Sequence, residues 1–162
     1  MAIGGLGGRI PYGVILRALG RRLDTWGWGA IRLEVRGAAI VLDGQSRAGR
    51  SRPAARRLVL ADELPLLLQE GRQGQATSDG ARSSRLAAGS ATYQERLRLL
   101  GQYLDHHDAR LMRLIEHGDG LIVQRLPTGS DEGRPVTELL RWETLRALQQ
   151  TMVRRRRQLP PH

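Results

Sequence analysis

Tyr12-Gly-Val-Ile-Leu-Arg-Ala-Leu-Gly-Arg-Arg-Leu-Asp24 and Tyr93-Gln-Glu-Arg-Leu-Arg-Leu-Leu-Gly-Gln-Tyr-Leu-Asp105 stand 81 residues apart and share Tyr, Leu, Arg, Leu, Gly, Leu and Asp in one register. Without a gap the register runs on through Ile31-Arg32-Leu33 over Met112-Arg113-Leu114, Gly37 over Gly118, and Ile40-Val41-Leu42 over Leu121-Ile122-Val123. One deleted residue later, Leu60, Glu63, Leu68 and Gln69 fall on Leu140, Glu143, Leu148 and Gln149. Self-similarity at a fixed period is the mark of a repeated structural unit.

Each copy reads alike. Tyr12, Leu16, Leu19 and Leu23, like Tyr93, Leu97, Leu100 and Leu104, recur at helical spacing and give an amphipathic helix. Ile31, Leu33 and Val35 alternate with Arg32, Glu34 and Arg36, the period of a strand with one buried face. Gly37-Ala38 and His117-Gly118-Asp119-Gly120 supply turn chemistry for a hairpin into Ala39 to Leu42 and Leu121 to Val123. Third strands are expected near Arg57 to Leu60 and Thr137 to Leu140. A closing helix carries Leu64, Leu67 and Leu68 behind an Asp62 cap, or Leu145, Leu148 and Met152. The expectation is an α+β fold: two tandem copies of an α-β-β-β-α unit, antiparallel strands with helices packed on one face, related by a pseudo-twofold axis.

The boundaries follow from composition. Residues 1 to 9, with Gly4-Gly5-Leu6-Gly7-Gly8, read as a flexible leader, since no strand precedes the glycines and no phosphate-loop Lys follows. Residues 10 to 72 form the first unit and 92 to 153 the second. Residues 73 to 91 are a Gly/Ser/Ala-rich linker, and 154 to 162 a basic tail. Gly20 and Gly101 fall mid-helix, where Gly costs about 1 kcal/mol relative to Ala. Their presence in both copies, with Arg32 and Arg113, marks an expected interface between the repeats.

The element order, compressed into each unit, is similar to that of the double-stranded-RNA-binding domain, which implies RNA read by shape. That family opens its second helix with basic residues. Ala61-Asp62-Glu63 and Arg141-Trp142-Glu143 stand in those places, so its phosphate clamp is missing.

All 26 basic residues are Arg, against 16 acids, and the net charge is +10. A GC-rich genome explains Arg in place of Lys but not the missing acids, so a polyanion such as nucleic acid is the expected partner. The guanidiniums nominated for it are Arg47, Arg50, Arg52, Arg56 and Arg57, around an insertion at 44 to 55, and Arg154, Arg155, Arg156 and Arg157 in the tail. The alternative is a structural or protein-interaction module, homo-oligomeric or part of a larger complex, with incidental charge.

The absence of Cys excludes thiolate ligation and thiol nucleophiles. His106, His107, Asp108, His117 and Asp119 lie in one copy only, and the aligned Thr25, Trp26, Gly27, Arg36 and Ala38 ligate nothing, so no metal is expected. No catalytic triad or paired carboxylate is legible, and the expectation is a non-enzymatic protein without cofactors. No apolar run approaches the roughly 18 residues that span a bilayer, so a cytoplasmic protein without a membrane partner is expected.

Overall fold

The computed structural model describes residues 11–36, 39–46, 55–59, 64–78, 92–128 and 133–158. Helix α1 spans Tyr12–Trp26, and strands β1 Trp28–Arg36, β2 Ala39–Ser46 and β3 Ala55–Val59 follow it. Helix α2 is Leu64–Ser78. The order then recurs: α3 Tyr93–His106, β4 Ala109–His117, β5 Gly120–Pro127, β6 Val136–Arg141 and α4 Trp142–Gln158. Among the described residues the fold is α+β, with four helices and one six-stranded antiparallel sheet of order β3-β2-β1-β4-β5-β6.

The middle of that sheet is the pairing of β1 with β4, where Leu33 lies opposite Leu114, Arg32 opposite Ile115 and Glu34 opposite Arg113. Period-two alternation sends Ile31, Leu33, Ile40, Leu42, Leu114, Leu121, Val123 and Leu140 into the core. There they meet Leu16, Leu19, Leu23, Leu97, Leu100 and Leu104 from α1 and α3 in a single cluster. Burying each such side chain stabilises the fold by about 1.5–3 kcal/mol. One face of the sheet is therefore sealed by helices. On the other face, Arg32 and Arg36 of β1 and Leu139 and Arg141 of β6 are exposed.

Helix α1 ends where the left-handed Gly27, at φ 63°, closes its last turn. Helix α3 begins at Thr92, whose hydroxyl accepts the Glu95 amide at 3.3 Å, with the Glu95 carboxylate in the positive first turn.

Several sequence boundaries shift. The β2 strand runs on to Ser46, and the strand expected near Arg57 to Leu60 starts earlier, at Ala55, so that Arg56 joins Arg57 in it. Trp26 ends α1 and Trp28 starts β1, leaving only Gly27 between helix and strand. Helix α2 continues to Ser78, into the stretch read as linker, and α4 continues through Arg154–Arg157 to Gln158. Gly/Ser content and a run of like charge lower helix propensity without forbidding helix where the chain already propagates one. The leader and the rest of the 73 to 91 linker lie outside the described residues, as do Arg47, Arg50 and Arg52 of the insertion.

Candidate functional site

Where α1 and α3 cross, both backbones come close because a glycine stands in each. A Cβ on Gly20 would sit 2.5 Å from the Tyr93 carbonyl oxygen and 2.6 Å from the Gln94 Cα. One on Gly101 would sit 2.6 Å from the Gly13 Cα and against the Tyr12 carbonyl. Arg32 and Arg113, nominated with these glycines, are both in the central strand pair, Arg113 opposite Glu34 and Arg32 opposite Ile115. The Glu34 carboxyl is held below its usual range by its hydrogen bond from Arg36, with Arg113 and Arg32 adding to the effect.

The two halves differ chemically in what fills equivalent places beneath the helices. In the first half Trp28 lies over Gly44, so closely that a Cβ there would be 2.8 Å from the indole Cε3. In the second half the aligned residues are Ala109 and Arg125. The small side chain now starts the strand, and a guanidinium occupies the space. Arg125 Nε donates to Glu138 Oε1 at 2.5 Å, and Tyr103 donates its hydroxyl to the same oxygen at 2.9 Å. The guanidinium carbon stands 5.6 Å from the Tyr103 ring centroid. Burial, then the bond to Glu138, pushes the Tyr103 phenol up, and the same carboxylate raises Arg125. The exposed His107 ring stacks 4.4 Å from that of Tyr103 and 5.2 Å from that of His106. Desolvation, Arg125 and His106 all press His107 below its ordinary value.

A second substitution of this kind replaces the apolar Ile15 and Val35 with Arg96 and Glu116, 3.7 Å apart. Glu116 Oε2 accepts the Tyr93 hydroxyl at 2.6 Å and the Ile31 amide at 3.2 Å. Arg96 stacks 5.1 Å from the centroid of Trp142, itself only 8% exposed, and among the described residues neither the Arg96 Nε nor the Trp142 Nε1 has a hydrogen-bond acceptor. Sequence reading missed both clusters. The 81-residue sequence register nonetheless held the signal, because it sets Trp28 and Gly44 against Ala109 and Arg125.

The charges sort by depth. Among residues whose burial is described, half-buried arginines and acids are nearly equal, six against seven, whereas the exposed ones are nine arginines against four acids. Most of the half-buried acids serve the fold: Asp105 caps α1, Glu138 holds Arg125, Glu116 holds Tyr93, Glu70 pairs with Arg22 and Glu95 with Arg98. Exposed cations remain on the sheet (Arg32, Arg36, Arg110, Arg141) and on α4 (Arg146, Arg154).

Of the nominated arginines, Arg154 is exposed and Arg155, Arg156 and Arg157 continue its helix. Arg56 and Arg57 lie on β3, at one sheet edge, and α4 follows β6, at the other. The two nominated groups thus start from opposite edges. Among the described residues no helix is long and apolar enough to cross a membrane. Comparison of the chain with protein-family models, with curated proteins and with solved structures finds no match.

Proposed function

We propose that this chain is an internally duplicated, non-enzymatic binding protein whose arginine-rich surface engages nucleic acid with little sequence preference. The observation that carries the reading is the sorting of charge by depth among the residues whose burial is described, nine exposed arginines against four exposed acids where the half-buried set is balanced. Incidental composition would not separate the charges by depth. A surface built for phosphate would, because guanidinium forks must stay in water until they meet phosphate oxygens. The acids are retained where the fold needs acceptors for amides, a phenol and a few guanidiniums.

The duplication is supported by register and by reciprocity. Leu33 faces Leu114, its counterpart 81 residues on, so a twofold axis through that pair relates the halves as tandem, pseudo-symmetric units. On this reading one ancestral unit paired with itself, and the fused chain freed the second half to acquire Arg125–Glu138 and Arg96–Glu116. Arg56 and Arg57 on β3 and Arg154 to Arg157 on α4 add to the cationic binding surface, together with Arg47, Arg50 and Arg52 of the sequence between β2 and β3. Such a protein would work in the cytoplasm, beside its polyanion.

Fluorescence anisotropy against mixed-sequence RNA and DNA, at low and high salt, tests the function. Binding at micromolar concentration that weakens steeply with salt is the expected result. Its absence at low salt overturns the reading.

A further inference from the structure

We infer that the β6 edge of the sheet is a docking surface for a second copy of this chain, joined strand to strand. The two edges are built differently. The β3 edge is a five-residue strand with adjacent arginines, Arg56 and Arg57, and charge on an edge is the common means of discouraging another strand. The β6 edge, Val136–Arg141, has no such protection in its middle: Thr137, Glu138, Leu139 and Leu140 come between its terminal Val136 and Arg141. Glu138, its acid, is turned into the helix side to hold Arg125. Leu139 is 49% exposed and Val136 39%, while Leu148, on the helix that follows, is 37% exposed. Two of the four exposed large apolar side chains among the described residues thus lie on this edge strand, and a third lies on the helix that follows it.

The register says which partner fits. Ile115 of β4, Ile122 of β5 and Leu139 of β6 lie side by side in one row of the open face. That row stops at the edge, on its most exposed member. An antiparallel β6 from a second copy, with the partner's Leu139 opposite Leu139, would continue the row into its own mirror. The chain already pairs two strands antiparallel about a leucine pair at its centre, there on the helix-covered face, where Leu33 of β1 meets Leu114 of β4 and α1 lies along α3. In the dimer the helices flanking the new seam would be the two α4 helices, with Leu148 between them. The register is electrostatically permissive, because Arg141 falls opposite the partner's Thr137 rather than another arginine. The inference does not depend on nucleic-acid binding.

The absence of Cys allows a direct test. Residues directly opposite in an antiparallel pair have Cα atoms about 4.5–5.5 Å apart, within disulfide range. Two copies of Val136, six residues apart along the pair, would be separated by roughly 20 Å. The full chain, stripped of nucleic acid by nuclease and high salt, is expected to sediment at twice its own mass at micromolar concentration. Leu139→Cys should form a covalent dimer under mild oxidation, whereas Val136→Cys, comparably exposed, should not. Leu139→Arg should return the protein to monomer with unchanged circular dichroism. A monomeric wild type overturns the inference, whatever else the edge binds. So does a dimer that survives Leu139→Arg, or one in which Val136→Cys cross-links as fast as Leu139→Cys.

Discussion

Asp24 and Asp105 each stand in the last turn of one central helix and cap the first turn of the other. The Asp24 carboxylate accepts the Tyr93 and Gln94 amides at 2.9 and 3.0 Å, and that of Asp105 accepts the Tyr12 and Gly13 amides at 2.9 and 2.8 Å. Pro11, which precedes α1, provides no side-chain cap of its own, so Asp105 supplies it across 93 residues of chain. Two amides with no acceptor in their own helix and a helix dipole are satisfied by one residue at each end. Asp105→Ala should therefore destabilise the protein by about 1–2 kcal/mol, the upper range for a helix cap. Urea unfolding measures it, and Asp24→Ala, at the more exposed site, should cost less.

Gly101→Ala and Gly20→Ala should both destabilise, although alanine is the better helix former by about 1 kcal/mol. The new methyl would meet backbone atoms of the opposing helix, with Gly13 Cα at 2.6 Å in one case and Gln94 Cα at 2.6 Å in the other. Backbone cannot rotate away, so the helices must separate, at an expected cost of about 1–3 kcal/mol. Thermal unfolding of the two variants checks the sign: a gain in stability at either position would show that the crossing is loose.

The Tyr12 hydroxyl accepts the buried Leu111 amide at 3.0 Å. Tyr12→Phe strands that amide and should cost about 1–3 kcal/mol. Burial also raises the phenol above its usual 10.0. The neutral form is the one the fold prefers, so its stabilisation is complete below pH 10 and falls as pH rises through the folded-state value. The variant should lose less stability than wild type between neutral and strongly alkaline pH.

His107 has the opposite sign. Its folded-state value lies below the ordinary 6.5 because partial desolvation beside Tyr103, then Arg125 and His106, disfavour its charged form against the opposing pull of Glu138. The unfolded chain takes up the proton first, so stability declines as pH falls below 6.5 towards the folded-state value. His107→Gln should flatten that decline, read from unfolding midpoints across the mildly acidic range.

Removal of residues 154–158 shortens α4 by its last turn and takes away four arginines. Nucleic-acid affinity should fall, and the salt dependence should flatten by about 0.9 per lost phosphate contact on duplex DNA, or about 0.7 on single strands. An unchanged slope in anisotropy titrations would place binding elsewhere, on the sheet arginines Arg32, Arg36, Arg110 and Arg141.

Local periodicity and the internal register determined which segments would be helix and strand, because a helical stripe such as Tyr12, Leu16, Leu19 and Leu23 can bury only one way. They also singled out Gly20 and Gly101, since a costly residue in the same place twice is readable without coordinates. Boundaries were less legible: the strand expected from Arg57 starts at Ala55 and takes in Arg56, whose charge masks a position held by pairing to β2 rather than by propensity. Only the tertiary structure decided what the polar residues do. Asp24 and Asp105 look like ordinary helix-end acids until α1 and α3 are set antiparallel, and Arg125 looks like one more surface cation until Ala109 leaves room for it beside Tyr103 and Glu138. The reason is physical: apolar burial is patterned along the chain, whereas a hydrogen bond or ion pair depends on a partner tens of residues away, whose position exists only once the strands have paired.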